Sequence, residues 1–145
     1  MTEKIVVGWR EWVSLPDLGI EKIKAKVDTG ARTSCIHAFN IESFDRNGEH
    51  WVRFWVHPLQ QDTVTEVVSE AKVADVRTVS DSGGHREQRY VIVTELHMAG
   101  KSWPIEVTLT NRDTMTFRML LGRTAMENRL VVDPVLSHLT NVKAQ

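Results

Sequence analysis

The chain contains one cysteine, Cys35, so no disulfide can form within it. With four prolines and eight glycines, no linker, repeat or low-complexity stretch stands out. No run approaches the ~20 apolar residues of a membrane-crossing helix. The opening MTEKIVVGWREW lacks the apolar centre of a secretion signal, which implies a cytosolic protein with no membrane partner. Neither charge is in excess: 18 basic and 19 acidic residues leave a net charge of -1, so the composition gives no electrostatic case for nucleic acid. There is no H-E-x-x-H, no histidine and cysteine cluster at zinc spacing, and no G-x-x-x-x-G-K-[ST] loop for phosphates. No cofactor and no metal are therefore expected.

Short strands dominate what is present. Apolar or alternating runs occupy 5–8, 23–27, 35–44, 50–59, 64–79, 89–98, 103–110, 117–122 and 130–134. Asn47-Gly48 and Ala99-Gly100-Lys101 mark hairpin turns. Only TAMENRL, 124–130, reads as a helix. The pattern predicts one all-β domain over 1–145, a small partly closed β-barrel with one short helix near the C-terminus.

KVDTGARTS, 26–34, is the most informative stretch. A strand runs into Asp28, Thr29, Gly30 and Ala31, with glycine supplying the backbone freedom of a tight turn. An ordinary Asx-type turn would explain these residues locally. RMLLGR, 118–123, places a second apolar-apolar-glycine segment far along the chain. Together, D-T-G-A and L-L-G-R resemble the two signatures of retropepsin-like aspartic proteases. The intervening order also fits, with a glycine-rich hairpin tip, SDSGGH, at 80–85. GWREWVSLPDLGI and IKAKVDTGARTSCIHA resemble the bacterial and archaeal branch, often labelled an ATP-dependent zinc protease. Some members of that branch are encoded near a ribosomal-protein glutamate ligase.

The resemblance implies an aspartic endopeptidase. Two carboxyls sharing a proton would hold the attacking water. One Asp28 per chain then implies a homodimer, which supplies the second copy by symmetry. Asp28, Thr29 and Gly30 are the implied catalytic turn. Ala31, Arg32, Ser82, Gly83, Gly84, Arg86, Leu121 and Arg123 are the implied substrate contacts. Arg123 is expected to pair with Asp17, Glu21 or Glu127. Arginines around the cleft, Arg89 and Arg118 among them, point to acidic or glutamate-rich peptides. The alternative is a non-catalytic module that binds a peptide or protein under the hairpin.

Other constellations compete less well. Asp81-Ser82-Gly83 also spells D-S-G but sits in a polar, glycine-rich setting that suits a hairpin tip. Cys35 and His37 share a strand face, where a buried core cysteine is the plainer reading. His37, His50 and His57 could meet across a hairpin, although scattered rim histidines explain them as well. Trp9, Trp12, Trp51 and Trp55 are expected in packing roles.

Overall fold

The structure is a computed structural model and describes residues 3–60, 62–80, 83–111 and 117–140. Among the described residues, twelve strands and one four-residue α-helix make up the regular structure, with a single 3-10 turn at Pro16–Leu18. The strands are β1 (Ile5–Val7), β2 (Arg10–Leu15), β3 (Ile20–Val27), β4 (Ser34–His37), β5 (Asn40–Arg46) and β6 (Glu49–Val56). They continue with β7 (Val67–Lys72), β8 (Asp75–Ser80), β9 (Arg86–Met98), β10 (Lys101–Thr110), β11 (Met119–Leu121) and β12 (Leu130–Val132). The helix α1 spans Arg123–Met126.

The main sheet runs β10-β4-β11-β3-β2-β9-β8, and β9 also pairs with β10. Six strands thus return on themselves, with β8 hanging from β9 as a hairpin arm. Closure is partial, because β2 meets β9 through one pair, Ser14 with His97. The expected all-β, partly closed architecture is present. A separate sheet, β5-β6-β7, shares the core through Val52, Phe54 and Val56. Alternation explains that contribution, since β6 buries every second residue and leaves Trp51, Arg53 and Trp55 on its outer side.

The two predicted hairpin turns fold as their residues demand. Asn47 and Gly48 both take positive φ (53° and 79°), as do Ala99 and Gly100 (54° and 76°), the geometry of two-residue hairpin loops. Three boundaries differ from the sequence reading. The run 35–44 is broken after His37, where Ala38 turns inward and donates its N–H to Thr110. The run 64–79 divides into β7 and β8 around Val73-Ala74. The helix stops at Met126, because Asn128 adopts a left-handed φ of 64° that no helix can continue through.

β2 lies outside the runs that the sequence pattern marks as strands. Its role is to hold residues 136–140. Gly8 lies so close to this segment that an added Cβ would sit 2.0 Å from the Leu136 carbonyl oxygen. Trp9 donates its N–H to that oxygen (2.8 Å), and His138 donates to the Arg10 carbonyl (3.0 Å). The buried Glu11 carboxylate accepts from the N–H groups of Gly8 (2.7 Å), Leu139 (2.9 Å) and Thr140 (3.0 Å), and from the Thr140 hydroxyl (3.1 Å).

Candidate active site

β3 is apolar on its inner face, through Ile20, Ile23, Ala25 and Val27, and ends at Asp28. The turn that follows is fixed from two sides. Asp28 donates its N–H to the Leu121 carbonyl (2.9 Å), and its side-chain Oδ1 accepts from Gly30 N–H (3.0 Å). Arg123 N–H reaches the Ala31 carbonyl (2.7 Å), and Thr124 N–H reaches that of Arg32 (3.0 Å). The buried Ser34 hydroxyl accepts from Gly122 N–H (3.0 Å). D-T-G-A and L-L-G-R are therefore one structural unit built from two distant segments. Gly122 is obligatory in it, since a Cβ there would lie 2.5 Å from the Thr33 carbonyl carbon.

A cavity of about 730 Å³ opens beside the turn. Asp28, Gly30, Ala31 and Arg32 line one side, with Thr33, Cys35, Thr108 and Leu120 nearby. The β8–β9 arm closes the other side through Arg77, Thr78, Val79, Ser80 and Arg89. Asp28 is half-buried and Arg32 is exposed. The arginines differ in their commitments. Arg77 makes a paired contact with Glu106 (2.8 and 2.9 Å) and another with Asp75 (2.8 Å). Those bonds raise the Arg77 pKa above its ordinary value and, chiefly through Arg77, hold Glu106 below the usual carboxylate range. Arg89 is buried, bonded to Glu87 (2.5 Å) and within 3.5 Å of Cys35 Sγ. The Arg32 guanidinium, by contrast, has no hydrogen-bond or ion-pair partner among the described residues, although it lies near enough to Glu106 to lower that pKa.

Several expected contacts fall elsewhere. Leu121 is wholly buried in the core, and its neighbour Leu120 faces the cavity; one position along a strand reverses the side chain. Thr29 and Arg123 line a separate, smaller cavity of about 400 Å³ with Lys4 and Glu127. Arg123 donates to the Thr29 carbonyl (3.1 Å), and no acid lies within ion-pair distance among the described residues, so the expected partners Asp17, Glu21 and Glu127 are not engaged. Gly83, Gly84 and Arg86 are exposed at the arm and do not line the larger cavity. Ser82 and Asp81 lie outside the described residues.

The histidines are not gathered either. His57 stacks on Phe39 at 4.2 Å, His50 meets the edge of Tyr90 at 5.5 Å, and His37 is buried in β4. Among the described residues, no three histidine, cysteine or carboxylate side chains converge as a metal site would require. Arg77 and the rest of the β8 lining escaped the sequence reading. β8 is mostly exposed and carries no motif, and only its pairing with β9 brings it to the cavity.

The family described as retropepsin-like aspartic endopeptidase RimB matches residues 6–143. This chain belongs to the RimB-like family. A solved Legionella pneumophila protein of unknown function, Lpg0085, superposes with a TM-score of 0.78 at 28% identity, covering 95% of this chain and 99% of that one. A Parasynechococcus marenigrum (strain WH8102) protein named "Probable alpha-L-glutamate ligase" is 54% identical over 95% of this chain. Proteins of the same name from Desulfotalea psychrophila and Shewanella pealeana are 54% and 50% identical over 92% and 90% of it. The chain spans about 30% of the length of these curated relatives.

Those relatives overturn the expectation of an aspartic endopeptidase. Proteins 50–54% identical to this chain are named for forming a bond to glutamate rather than for hydrolysing peptides. The RimB-like match is to a family, and a fold hosts more than one chemistry. Asp28 is the one acid lining the cavity among the described residues. No described helix is long and apolar enough to cross a membrane.

Proposed function

We propose that this chain is the glutamate-recognising domain of an α-L-glutamate ligase system, holding glutamate or a glutamyl peptide in the cavity beside Asp28. The observation that carries this reading is the pairing of two polar groups on one wall. Asp28 offers a fixed carboxylate, and Arg32, four residues later, offers a guanidinium with no partner of its own among the described residues. Glutamate carries the complementary set, an amino group and two carboxylates. Arg32 would take a carboxylate through paired, charge-assisted bonds. Asp28 would accept from the ammonium of free glutamate or from an amide N–H of a chain. The same Asp28 charge repels carboxylates, which turns them toward Arg32 and fixes the ligand's direction. The relatives' name supplies the substrate class, and the cavity volume suits a ligand of one to a few residues.

Titration calorimetry with tri-glutamate and tri-glutamine tests this. Tri-glutamate should bind, and tri-glutamine should bind at least tenfold more weakly. Charge-assisted hydrogen bonds contribute about 1.5–3 kcal/mol, so Arg32→Ala should weaken tri-glutamate binding by roughly 10- to 100-fold. Equal binding of the two peptides, or an Arg32→Ala variant that binds tri-glutamate as wild type does, would refute the reading.

A further inference from the structure

The β8–β9 arm leaves the barrel where the ladder between β9 and β10 ends. β9 pairs with β10 from Met98 back to Val91 and with β8 from Val91 back to Arg86, so the two ladders share only Val91. From there the arm lies over the Asp28 cavity, and side chains tie it to the barrel. The Thr110 hydroxyl of β10 donates to Glu87 (2.5 Å), and Arg89 reaches Cys35 Sγ of β4 (3.5 Å). The third tie has the longest span. Arg77 of β8 donates through both terminal nitrogens to the Glu106 carboxylate of β10 (2.8 and 2.9 Å).

That contact bears on where the arm sits. Arg77 is in register with Arg89, and Glu106 with Val93, so the two lie four positions apart along β9 and on opposite sides of it. At about 3.3 Å per residue and about 4.8 Å between strands, a flat sheet would separate their Cα atoms by roughly 16 Å. Strand side chains stand roughly perpendicular to the sheet, so a flat arrangement would keep this pair apart. The pair closes because the arm curls over the face that carries Glu106, toward the cavity that Arg77, Thr78, Val79 and Ser80 wall. Glu106 itself does not line the cavity. Arg77 and Asp75 face it from β8, Arg32 lies near it from the turn after Asp28, and the apolar Val93 stands opposite on β9. Both partners are part-exposed, 31% for Arg77 and 41% for Glu106. Salt therefore weakens this tie far more readily than it weakens the main-chain ladder behind it.

We infer that the Arg77–Glu106 pair is an ionic latch that holds the β8–β9 arm down over the Asp28 cavity, and that screening or removing the Glu106 charge opens the way in. The latch acts on entry rather than on the ligand, because Glu106 lies outside the lining. The inference rests on the proposed function only in taking this cavity as the ligand site, and it adds what regulates access to it.

Cys35 supplies the readout. It is the one thiol of the chain, lines the cavity and is 4% exposed. Dithiodipyridine, a neutral thiol reagent, reports access to it without being drawn in by charge. At about 0.1 M salt, Glu106→Gln should speed Cys35 labelling by about 3- to 5-fold, the size expected of one well-aligned, part-exposed ion pair. Raising the salt to about 1 M, where screening acts within about 3 Å, should speed wild type toward the variant and leave the variant nearly unchanged. Glu95→Gln removes a charge from the same side of β9 without touching the pair, and should label as wild type does. Amide exchange separates a latch from a general loss of stability. In Glu106→Gln, exchange should quicken in β8 and over 86–90, while the β2–β3 and β9–β10 ladders stay protected as in wild type. Equal labelling of wild type and Glu106→Gln would overturn the latch, as would a wild-type rate that ignores salt or exchange that rises equally throughout the barrel. These measurements need no ligand, so a failure of tri-glutamate to bind would refute the proposed ligand while the labelling rates still decide the latch.

Discussion

Glu11→Gln tests whether the N-terminal GWREW segment is a clasp for residues 136–140. Glu11 is fully buried, and its two oxygens accept four hydrogen bonds of 2.7–3.1 Å. Oε2 serves Gly8 and Leu139, and Oε1 serves Thr140 twice. An amide has the same shape but only one acceptor oxygen. If that oxygen replaces Oε2, the NH₂ group faces the Thr140 N–H, donor against donor. The remaining bonds also lose their charge assistance, roughly halving each. An unsatisfied buried donor costs about 1–3 kcal/mol. Thr140 is only partly buried and can turn to water, whereas Gly8 cannot. A loss of about 3 kcal/mol follows, and at ~2–4 °C per kcal/mol for a chain of this size the midpoint should fall by roughly 10 °C. Circular dichroism melts give the midpoint. Amide exchange should show Leu139 and Thr140 losing protection well before the β9–β10 core. A midpoint within about 2 °C of wild type, or undiminished protection at both amides, would refute the clasp.

Two further outcomes follow from the same geometry. Gly122→Ala should destabilise by about 3 kcal/mol or more, since its Cβ would lie 2.5 and 2.8 Å from main-chain atoms of Thr33 and Ser34 that cannot rotate away; a urea midpoint near that of wild type would show that the turn can move aside. Glu106 is held below its ordinary value of 4.5, first by its bonds to Arg77, so its contribution is full above that pH and is lost as the pH falls through the lowered value; stability–pH curves for wild type and Glu106→Gln should therefore converge below about 4.5, and a constant gap across the acid range would contradict the assignment.

The legible parts of the sequence were those where local chemistry alone decides the geometry. Asn47-Gly48 and Ala99-Gly100 require positive φ, and both hairpins formed where these pairs stand. The strand before Asp28 could be read from its inward apolar residues. What stayed hidden depended on contacts between distant segments. Glu11 reads as a surface acid within REWVSL until residues 136–140 supply its donors. Arg77 carries no motif and becomes a wall of the cavity only because β8 folds back along β9. Leu120 and Leu121 are chemically alike, and only the register of β11 against β3 and β4 decides which one faces the ligand space.

The peptidase reading failed for a related reason. D-T-G-A and L-L-G-R specify a turn, and the turn is present with its main-chain bonds to Leu121, Ala31 and Arg32. Those bonds are made by backbone groups and by Ser34, and Asp28's own local contact is an N–H two residues away. The motif thus describes how a carboxylate is held at a strand end and leaves open what that carboxylate does. Its chemistry is set by the groups that face it, which lie on other segments. Here the same cavity is lined by Arg32, whose guanidinium has no hydrogen-bond or ion-pair partner among the described residues. A carboxylate beside a guanidinium suits binding of a ligand that bears both an amino group and carboxylates. On the proposed reading, the residue after D-T-G-A, Arg32 in this chain, is the one that selects the ligand.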